Sequence, residues 1–206
     1  MNITVLAASG ATGLELTRQA LDRGHTVTAV ARNPSRVTVA DSDRLTRVAA
    51  DLRDPDSLAR VVPDGSVVLS GLGIAKGEEP GVLTAGARAL VRARPERIIW
   101  LGALGTGTSA EVAGPVTRTL LRVLLKSELE DKVAADTAVL AAGGTVFHAG
   151  PLTNGPLSAD RRAHGLADAP RRLLPGRVSR ATVAAAMIDE AENRRHVGGT
   201  VIPVER

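Results

Sequence analysis

The sequence predicts a single α/β domain in which a doubly wound parallel sheet carries helices on both faces. The chain has 206 residues, a length that suits one domain. Short apolar runs, typical of buried strands, alternate along it with segments of helical period. A glycine-containing turn joins the first apolar run to the first helical segment, as in sheets that bind a ligand at the carboxyl ends of their strands.

Each element follows from local signals. Pro55 suits an early helical position, Pro95 ends a helix, and Ser179 is a suitable N-cap. The predicted strands span residues 2–7, 26–31, 46–50, 66–70, 97–101, 145–148 and 200–204. The predicted helices span residues 13–24, 55–62, 80–94, 116–142 and 179–193. Residues 151–178, rich in proline, glycine and arginine, are predicted to form a loop on the substrate side.

Composition excludes several kinds of site. The chain has no cysteine, which rules out disulfides, thiolate zinc sites and cysteine nucleophiles. Its only aromatic residues are Trp100 and Phe147, and its net charge of +4 is scattered, so no nucleic-acid partner is expected. No group of His, Asp and Glu has the spacing of metal ligands.

The apolar runs also bear on location. None approaches the roughly 20 residues that a membrane span needs, and no leader pattern precedes the first strand. We therefore expect a cytoplasmic protein without a membrane partner, a monomer or homodimer that acts on a small molecule.

The turn after the first strand carries the most informative motif. Gly10, Ala11, Thr12 and Gly13 stand between that strand and the first helix, with Ala7 at the first position of a Gly-x-x-Gly-x-x-Gly spacing. Glycines at such a turn let backbone N–H groups approach a pyrophosphate, and the helix N-terminus adds donors and a favourable dipole. The motif predicts a dinucleotide site.

The end of the second strand favours one dinucleotide. A carboxylate at this point would accept the ribose hydroxyls of NAD, but the chain instead has Arg32 and Arg36 in the segment ARNPSR. A guanidinium can grip a phosphate through two hydrogen bonds, so NADP(H) is the predicted cofactor.

On these residues the chain resembles the atypical short-chain dehydrogenase/reductase superfamily. It looks most like the small NAD(P)H-binding group that includes NmrA-like proteins and flavin or biliverdin reductases. The resemblance covers nearly the whole chain, through NITVLAASGATGLELTRQAL, ARNPSRV, GPLTNGP and VSRATVAAAMIDEAENRRHVGGTVIPV. It implies a single-domain Rossmann fold and an NADPH-dependent reductase.

The resemblance also implies which residues contact the cofactor. It places Lys132, and the strand end from His148 to Leu152, near the nicotinamide. The implied contacts are Gly10, Ala11, Thr12, Gly13, Arg32, Arg36, Asp51, Leu52, Gly71, Leu72, Gly73, Gly102, Ala103, Lys132, His148, Ala149, Gly150, Pro151 and Leu152.

Departures from the group concern the chemistry. Ala7 replaces the first glycine, and its methyl group can crowd a diphosphate. Gly102 and Ala103 stand where relatives commonly have serines, and His148-Ala149 stands where an Arg-Pro pair is usual. The chain has no tyrosine, so the Tyr-x-x-x-Lys pair of the superfamily is impossible.

Without that pair, a proton must come from another group. The candidate catalytic residues are His148, because imidazole suits acid–base work near neutral pH, and Lys132; water is a third source. Each residue also has a structural interpretation. His148 can simply cap a strand end, and Lys132 can pair with Asp136 four residues later on a helix. Thr108 and Ser109 are further hydroxyls, but no Ser-His-Asp constellation is evident from the sequence.

Three functions remain open at this point. The first is an NADPH-dependent reductase of a small conjugated or carbonyl-bearing substrate. The second is a non-catalytic NADP-binding sensor or regulator, favoured by the missing hydroxyls. The third is a redox-neutral isomerase, cyclase or dehydratase of a biosynthetic pathway on the same fold.

Overall fold

An eight-stranded sheet forms the centre of the computed structural model, which describes residues 1–74, 80–113, 126–170 and 175–205. Its strands are β1 Asn2–Leu6, β2 Thr26–Ala31, β3 Leu45–Ala49, β4 Val67–Ser70, β5 Arg97–Ala103, β6 Thr145–Ala149, β8 Arg161–Gly165 and β10 Thr200–Glu205. Two further short strands, β7 Leu152–Thr153 and β9 Val178–Ser179, pair with each other in parallel.

The strand order is β3-β2-β1-β4-β5-β6-β10-β8. Leu6, the last residue of β1, lies beside Val30 on one side and Ser70 on the other. The chain therefore leaves β1 in one direction towards β2 and returns on the other side at β4, the arrangement that opens a crevice at the strand ends. The predicted doubly wound sheet is confirmed.

Helices cover both faces of the sheet. They are α1 Ala11–Asp22, α2 Pro55–Val61, α3 Val82–Ala93, α4 Lys126–Ala141 and α5 Arg180–Asn193. One apolar core joins α1 and α5 to one face of the sheet, and the other joins α2, α3 and α4 to the opposite face. Successive strand residues alternate between the two cores, as Val5 and Leu6 do, because side chains alternate across a strand.

Capping residues fix the starts of two predicted helices. Ser179 caps α5, its hydroxyl oxygen accepting a hydrogen bond from the Thr182 N–H at 3.0 Å. Asp54 caps α2 by accepting from the Asp56 N–H at 3.0 Å, and Pro55 follows it in the first turn.

Asp131 of α4 fixes the start of α3. Its carboxylate accepts hydrogen bonds from the N–H groups of Leu83 and Thr84, at 3.1 and 2.8 Å, and from the Thr84 hydroxyl at 2.6 Å. Gly81 at the N-cap has no side chain to do so. The contact holds α4 against α3, and α4 carries part of the site described below.

The segment 151–178 differs from its prediction as a loop. Residues 161–165 form β8, which pairs antiparallel with β10 at the edge of the sheet. This strand was not predicted because Arg161, Arg162 and His164 leave it without an alternation of apolar and polar residues. An edge strand does not need that alternation, since charged side chains protect such edges from pairing with other chains.

The helix predicted over 116–142 is present as α4 from Lys126, and residues 114–125 lie outside the described part of the chain. Within the described ranges, no helix has both the length and the apolar character needed to cross a membrane.

Candidate active site

A cleft of about 650 Å³ opens at the carboxyl ends of the central strands. Its volume lies within the usual range for small-molecule and cofactor sites. Most of the predicted contact residues line it: Gly10, Ala11, Thr12, Arg32, Arg36, Asp51, Leu52, Gly71, Leu72, Gly73, Gly102, Ala103, Lys132 and Leu152. Gly13, His148, Ala149, Gly150 and Pro151 do not reach its wall.

The turn between β1 and α1 forms one wall. Ala7 has the left-handed φ of +55°, and its carbonyl accepts a hydrogen bond from the Gly10 N–H at 2.9 Å. A Cβ atom on Gly13 would lie only 2.1 Å from that carbonyl oxygen, so residue 13 must be glycine for the helix to start here. The first-turn N–H groups of α1 have no acceptor within the helix, and Ala11 and Thr12 line the cleft.

Gly71, the residue after β4, lies close to this turn. A Cβ atom on Gly71 would lie 3.2 Å from the backbone nitrogen of Gly13. Little room for a side chain is left between Gly71 and Gly13. A ligand at this point would therefore contact the backbone.

Arg32 and Arg36 follow β2 at the exposed end of the cleft. Arg36 ends a short turn, Pro34–Arg36, that is capped by Asn33, whose side-chain oxygen accepts from the Ser35 N–H at 3.1 Å and the Ser35 hydroxyl at 2.7 Å. Arg32 immediately precedes the capping residue and Arg36 ends the turn, so one short stretch of chain brings both arginines to the cleft.

α4 forms the opposite end of the cleft with Lys132 and Asp136, one helical turn apart. The suggested pairing of these two residues is wrong. Lys132 Nζ instead lies 3.4 Å from Glu128 Oε2, one turn earlier. Asp136 is 3% exposed, and its Oδ2 lies 2.9 Å from His148 Nε2 and 3.3 Å from the Thr106 hydroxyl. Its Oδ1 has no hydrogen-bond partner within the described protein.

His148 does not face the cleft, which corrects its interpretation as a direct donor to substrate. It is fully buried, with Nδ1 2.6 Å from Ser109 Oγ. His148 lies beside Gly102 across β5 and β6. A Cβ atom on Gly102 would lie 2.8 Å from the His148 ring and 2.9 Å from Asp136 Oδ1. The imidazole and the carboxylate therefore crowd the space that a serine at position 102 would need.

Ser109, His148 and Asp136 form a hydrogen-bonded chain that sequence reasoning missed. It is not a nucleophilic triad, because Ser109 is fully buried and the carboxylate is the member that lines the cleft. The position of Asp136, one turn after Lys132, was the one available signal. Ser109 comes from a loop after β5, and no periodicity in the sequence predicts its contact with β6.

The pair of short strands β7 and β9 brings a further residue to the cleft. Leu152 lies beside Val178 and Thr153 beside Ser179. This pairing places the start of α5 near Leu152, and Arg180 lines the cleft there. An Arg180 Nη1 hydrogen bond to Asn154 Oδ1, 2.7 Å long, ties the helix to the loop after β7.

Comparisons with known proteins agree with this architecture. A family model described as NAD(P)H-binding matches residues 7–194. An uncharacterized Bacillus subtilis protein, YwnB, is 33% identical over 110 residues, which are 52% of this chain and 49% of that protein. The chain thus matches about half the length of this curated relative.

Solved structures share the fold over almost the whole chain. A short-chain dehydrogenase/reductase from Veillonella parvula, in complex with NADP, is 21% identical with a TM-score of 0.80, over 99% of this chain and 94% of that one. The anaerobillin reductase ChuY from Escherichia coli O157:H7 is 18% identical with a TM-score of 0.77, over 100% and 97%. The oxidoreductase ylbE from Lactococcus lactis is 17% identical with a TM-score of 0.80, over 100% and 91%.

Proposed function

The chain belongs to the NAD(P)H-binding family, and we propose that it uses NADPH to reduce a small carbonyl-bearing or conjugated substrate. The observation that carries this proposal is the turn after β2, where Arg32 and Arg36 line the cleft and no carboxylate takes their place. Two guanidinium groups favour the 2′-phosphate of NADPH over the free hydroxyl of NADH.

The phosphate end of the cleft fits a dinucleotide. Backbone N–H groups at the start of α1 and the glycine surface of Gly10 and Gly71 would hold the diphosphate. Asp51 and Leu52, which follow β3 on the same wall, would lie against the adenosine. Ala7 lines the cleft, and its backbone adopts a left-handed conformation although the residue carries a methyl group.

The opposite end of the cleft would hold the substrate. A bound NADPH supplies a hydride, and the chain orients the two reactants and controls access of water. Gly102, Ala103 and Lys132 line this end and carry no hydroxyl group. Acceptors whose reduced forms spread their charge, such as flavins and quinones, suit a site of this kind, as do carbonyl compounds if a proton is provided.

Calorimetric titration tests the cofactor assignment. The wild-type protein should bind NADPH more tightly than NADH. Arg32→Ala and Arg36→Ala should each weaken NADPH binding by about 1–3 kcal/mol, the scale of a charge-assisted hydrogen bond, and leave NADH binding nearly unchanged. Arg162→Ala is the matched control, because Arg162 is exposed on β8 and does not line the cleft. Equal affinities for the two cofactors would contradict the proposal.

A screen of acceptors separates the reductase from its alternatives. Oxidation of NADPH that depends on a quinone, flavin or aldehyde supports a reductase. Tight NADPH binding without turnover of any acceptor favours the sensor, which the missing tyrosine already makes a second candidate. Product formation without net loss of NADPH favours a redox-neutral enzyme.

A further inference from the structure

We propose that Ser109, His148 and Asp136 form a buried cluster that holds one exchangeable proton and donates it, through Asp136 Oδ1, to a ligand in the cleft. The identity of the acceptor rests on the proposed function: it is the carbonyl oxygen of a substrate that receives a hydride. Asp136 is then the catalytic acid, and His148 and Ser109 are positioning residues.

The unpartnered oxygen of Asp136 points to this role. The side chain is nine-tenths buried, yet its Oδ1 has no hydrogen-bond partner within the described residues. Leaving a buried polar atom without a partner is costly in free energy, so native proteins seldom keep one without a functional reason. Asp136 and Gly102 both line the cleft, and the Cβ position of Gly102 is 2.9 Å from Oδ1. We take the missing partner of Oδ1 to be a ligand bound against this wall.

The hydroxyl of Ser109 allows the cluster to gain a proton without losing a hydrogen bond. It carries one hydrogen and has two acceptors, His148 Nδ1 at 2.6 Å and the Thr106 carbonyl at 3.1 Å. With a neutral imidazole, the hydroxyl donates to Nδ1. When Nδ1 is protonated, that N–H donates to Ser109 Oγ and the hydroxyl turns to Thr106.

The same proton can reside on Asp136 instead. His148 Nε2–H then donates to Oδ2, and the hydrogen on Oδ1 has no acceptor among the described residues. The charged or titratable neighbours of this carboxyl are few. α4 contributes Lys132, which is paired with Glu128, and β6 contributes His148. β5 contributes the uncharged Gly102, and the loop after it the uncharged Thr106 and Ser109.

The transfer balances in atoms and electrons. A hydride, which bound NADPH would supply, would form the new C–H bond at the carbonyl carbon, and the π electrons of the C=O bond would move to oxygen. That oxygen takes the proton from Asp136 Oδ1 and leaves a carboxylate, which still accepts the His148 Nε2–H bond. Asp136 regains a proton from solvent through the open cleft after the alcohol has left. The substrate is reduced, and NADPH is oxidised to NADP⁺.

Nuclear magnetic resonance of the ligand-free protein tests the cluster directly. At neutral pH, the ring-nitrogen resonances of His148 and the carboxyl-carbon resonance of Asp136 should together report the extra proton, either on the imidazole or on the carboxyl group. In Ser109→Ala the Nδ1 resonance should move, because the hydroxyl bonded to Nδ1 is gone. A neutral imidazole beside an ionised carboxylate in the wild-type protein would overturn the proposal.

Turnover of two probes tests the donor role. With diacetyl, whose reduced oxygen needs a proton, Asp136→Asn should lose about 100-fold in rate, the lower end of general acid catalysis. With riboflavin, which spreads its charge, the same variant should lose less than about threefold. Glu130→Gln is the control, because it changes an exposed carboxylate on the same helix.

The outcomes distinguish this inference from the proposed function. If wild-type protein reduces diacetyl and Asp136→Asn matches it, the inference fails and the reductase stands. If wild-type protein reduces neither probe, the result favours the sensor over the reductase, and the His148 and Asp136 resonances decide whether the cluster holds a proton. If Asp136→Asn does not fold, His148→Gln replaces it, with the same selective loss of diacetyl turnover expected.

Discussion

The carbonyl oxygen of Ala7 lies 2.1 Å from the position that a Cβ atom of residue 13 would occupy. Ala7 directly follows β1 and Gly13 lies in the first turn of α1, so neither position can move aside without a shift of the backbone. The close approach of helix and strand that a dinucleotide turn requires therefore depends on a hydrogen at position 13.

Gly13→Ala should destabilise the fold by at least about 1–3 kcal/mol, the usual cost of forcing extra atoms into a packed site. The added methyl group should also push the start of α1 away from the cleft. NADPH binding should therefore weaken by at least about tenfold. Urea denaturation and calorimetry measure the two effects. Gly73→Ala is the control for stability, because a Cβ atom there meets nothing within 4 Å.

Ala7→Gly should stabilise the protein by about 0.5–1 kcal/mol. Alanine at φ +55° is strained by about 1–2 kcal/mol, and the greater freedom of glycine in the unfolded chain offsets part of the relief. Thermal or urea denaturation reports the difference. Ala8→Gly, which removes a fully buried methyl group from the next residue, should have the opposite sign. A loss of stability in Ala7→Gly would show that the methyl group contributes packing that outweighs the strain.

Gly102→Ser should not restore a hydroxyl to the site but should disrupt the cluster behind it. The new Cβ would meet the His148 ring at 2.8 Å and Asp136 Oδ1 at 2.9 Å, so a loss of about 1–3 kcal/mol in unfolding free energy is expected. Denaturation and the His148 ring resonances are the measurements. Ala103→Ser, at the next strand position, is the matched control. Unchanged stability together with unchanged resonances would show that the strand end is free to shift.

The parts of the site predicted from sequence are those that local chemistry determines. The turn at Gly10 and Gly13 and the arginine turn at Arg32 are each contiguous, so their residue types and spacing carry the information. The resulting cleft brings most of the predicted residues together, although their contacts with a cofactor stay predictions.

The parts that could not be predicted depend on tertiary contact. Asp136 of α4 pairs with His148 of β6 and not with Lys132. Lys132 pairs with Glu128 instead. Ser109 reaches His148 only because β5 and β6 are adjacent in the sheet. Strand β8 is recognised by its pairing with β10, since its own residues are mainly polar.

Asp131 makes stability depend on pH in a defined direction. Burial alone would raise the pKa of its carboxyl, but hydrogen bonds from the Thr84 hydroxyl and from the Thr84 and Leu83 N–H groups outweigh burial and lower the pKa below its ordinary value. The folded state thus favours the carboxylate. Its contribution is complete above the unfolded-state pKa, near 4, and is lost as pH falls through the lower folded-state pKa.

Asp131→Asn should therefore cost about 1–3 kcal/mol at neutral pH, the range for hydrogen bonds to a charged group, and progressively less below about pH 4. Denaturant unfolding of both proteins between about pH 2 and 7 measures the difference. Glu130→Gln is the control, since it alters the exposed neighbouring carboxylate and should show no such dependence. An equal cost at both ends of the range would mean that Asp131 acts through the shape of its side chain, and the charge would then have no part in holding α4 against α3.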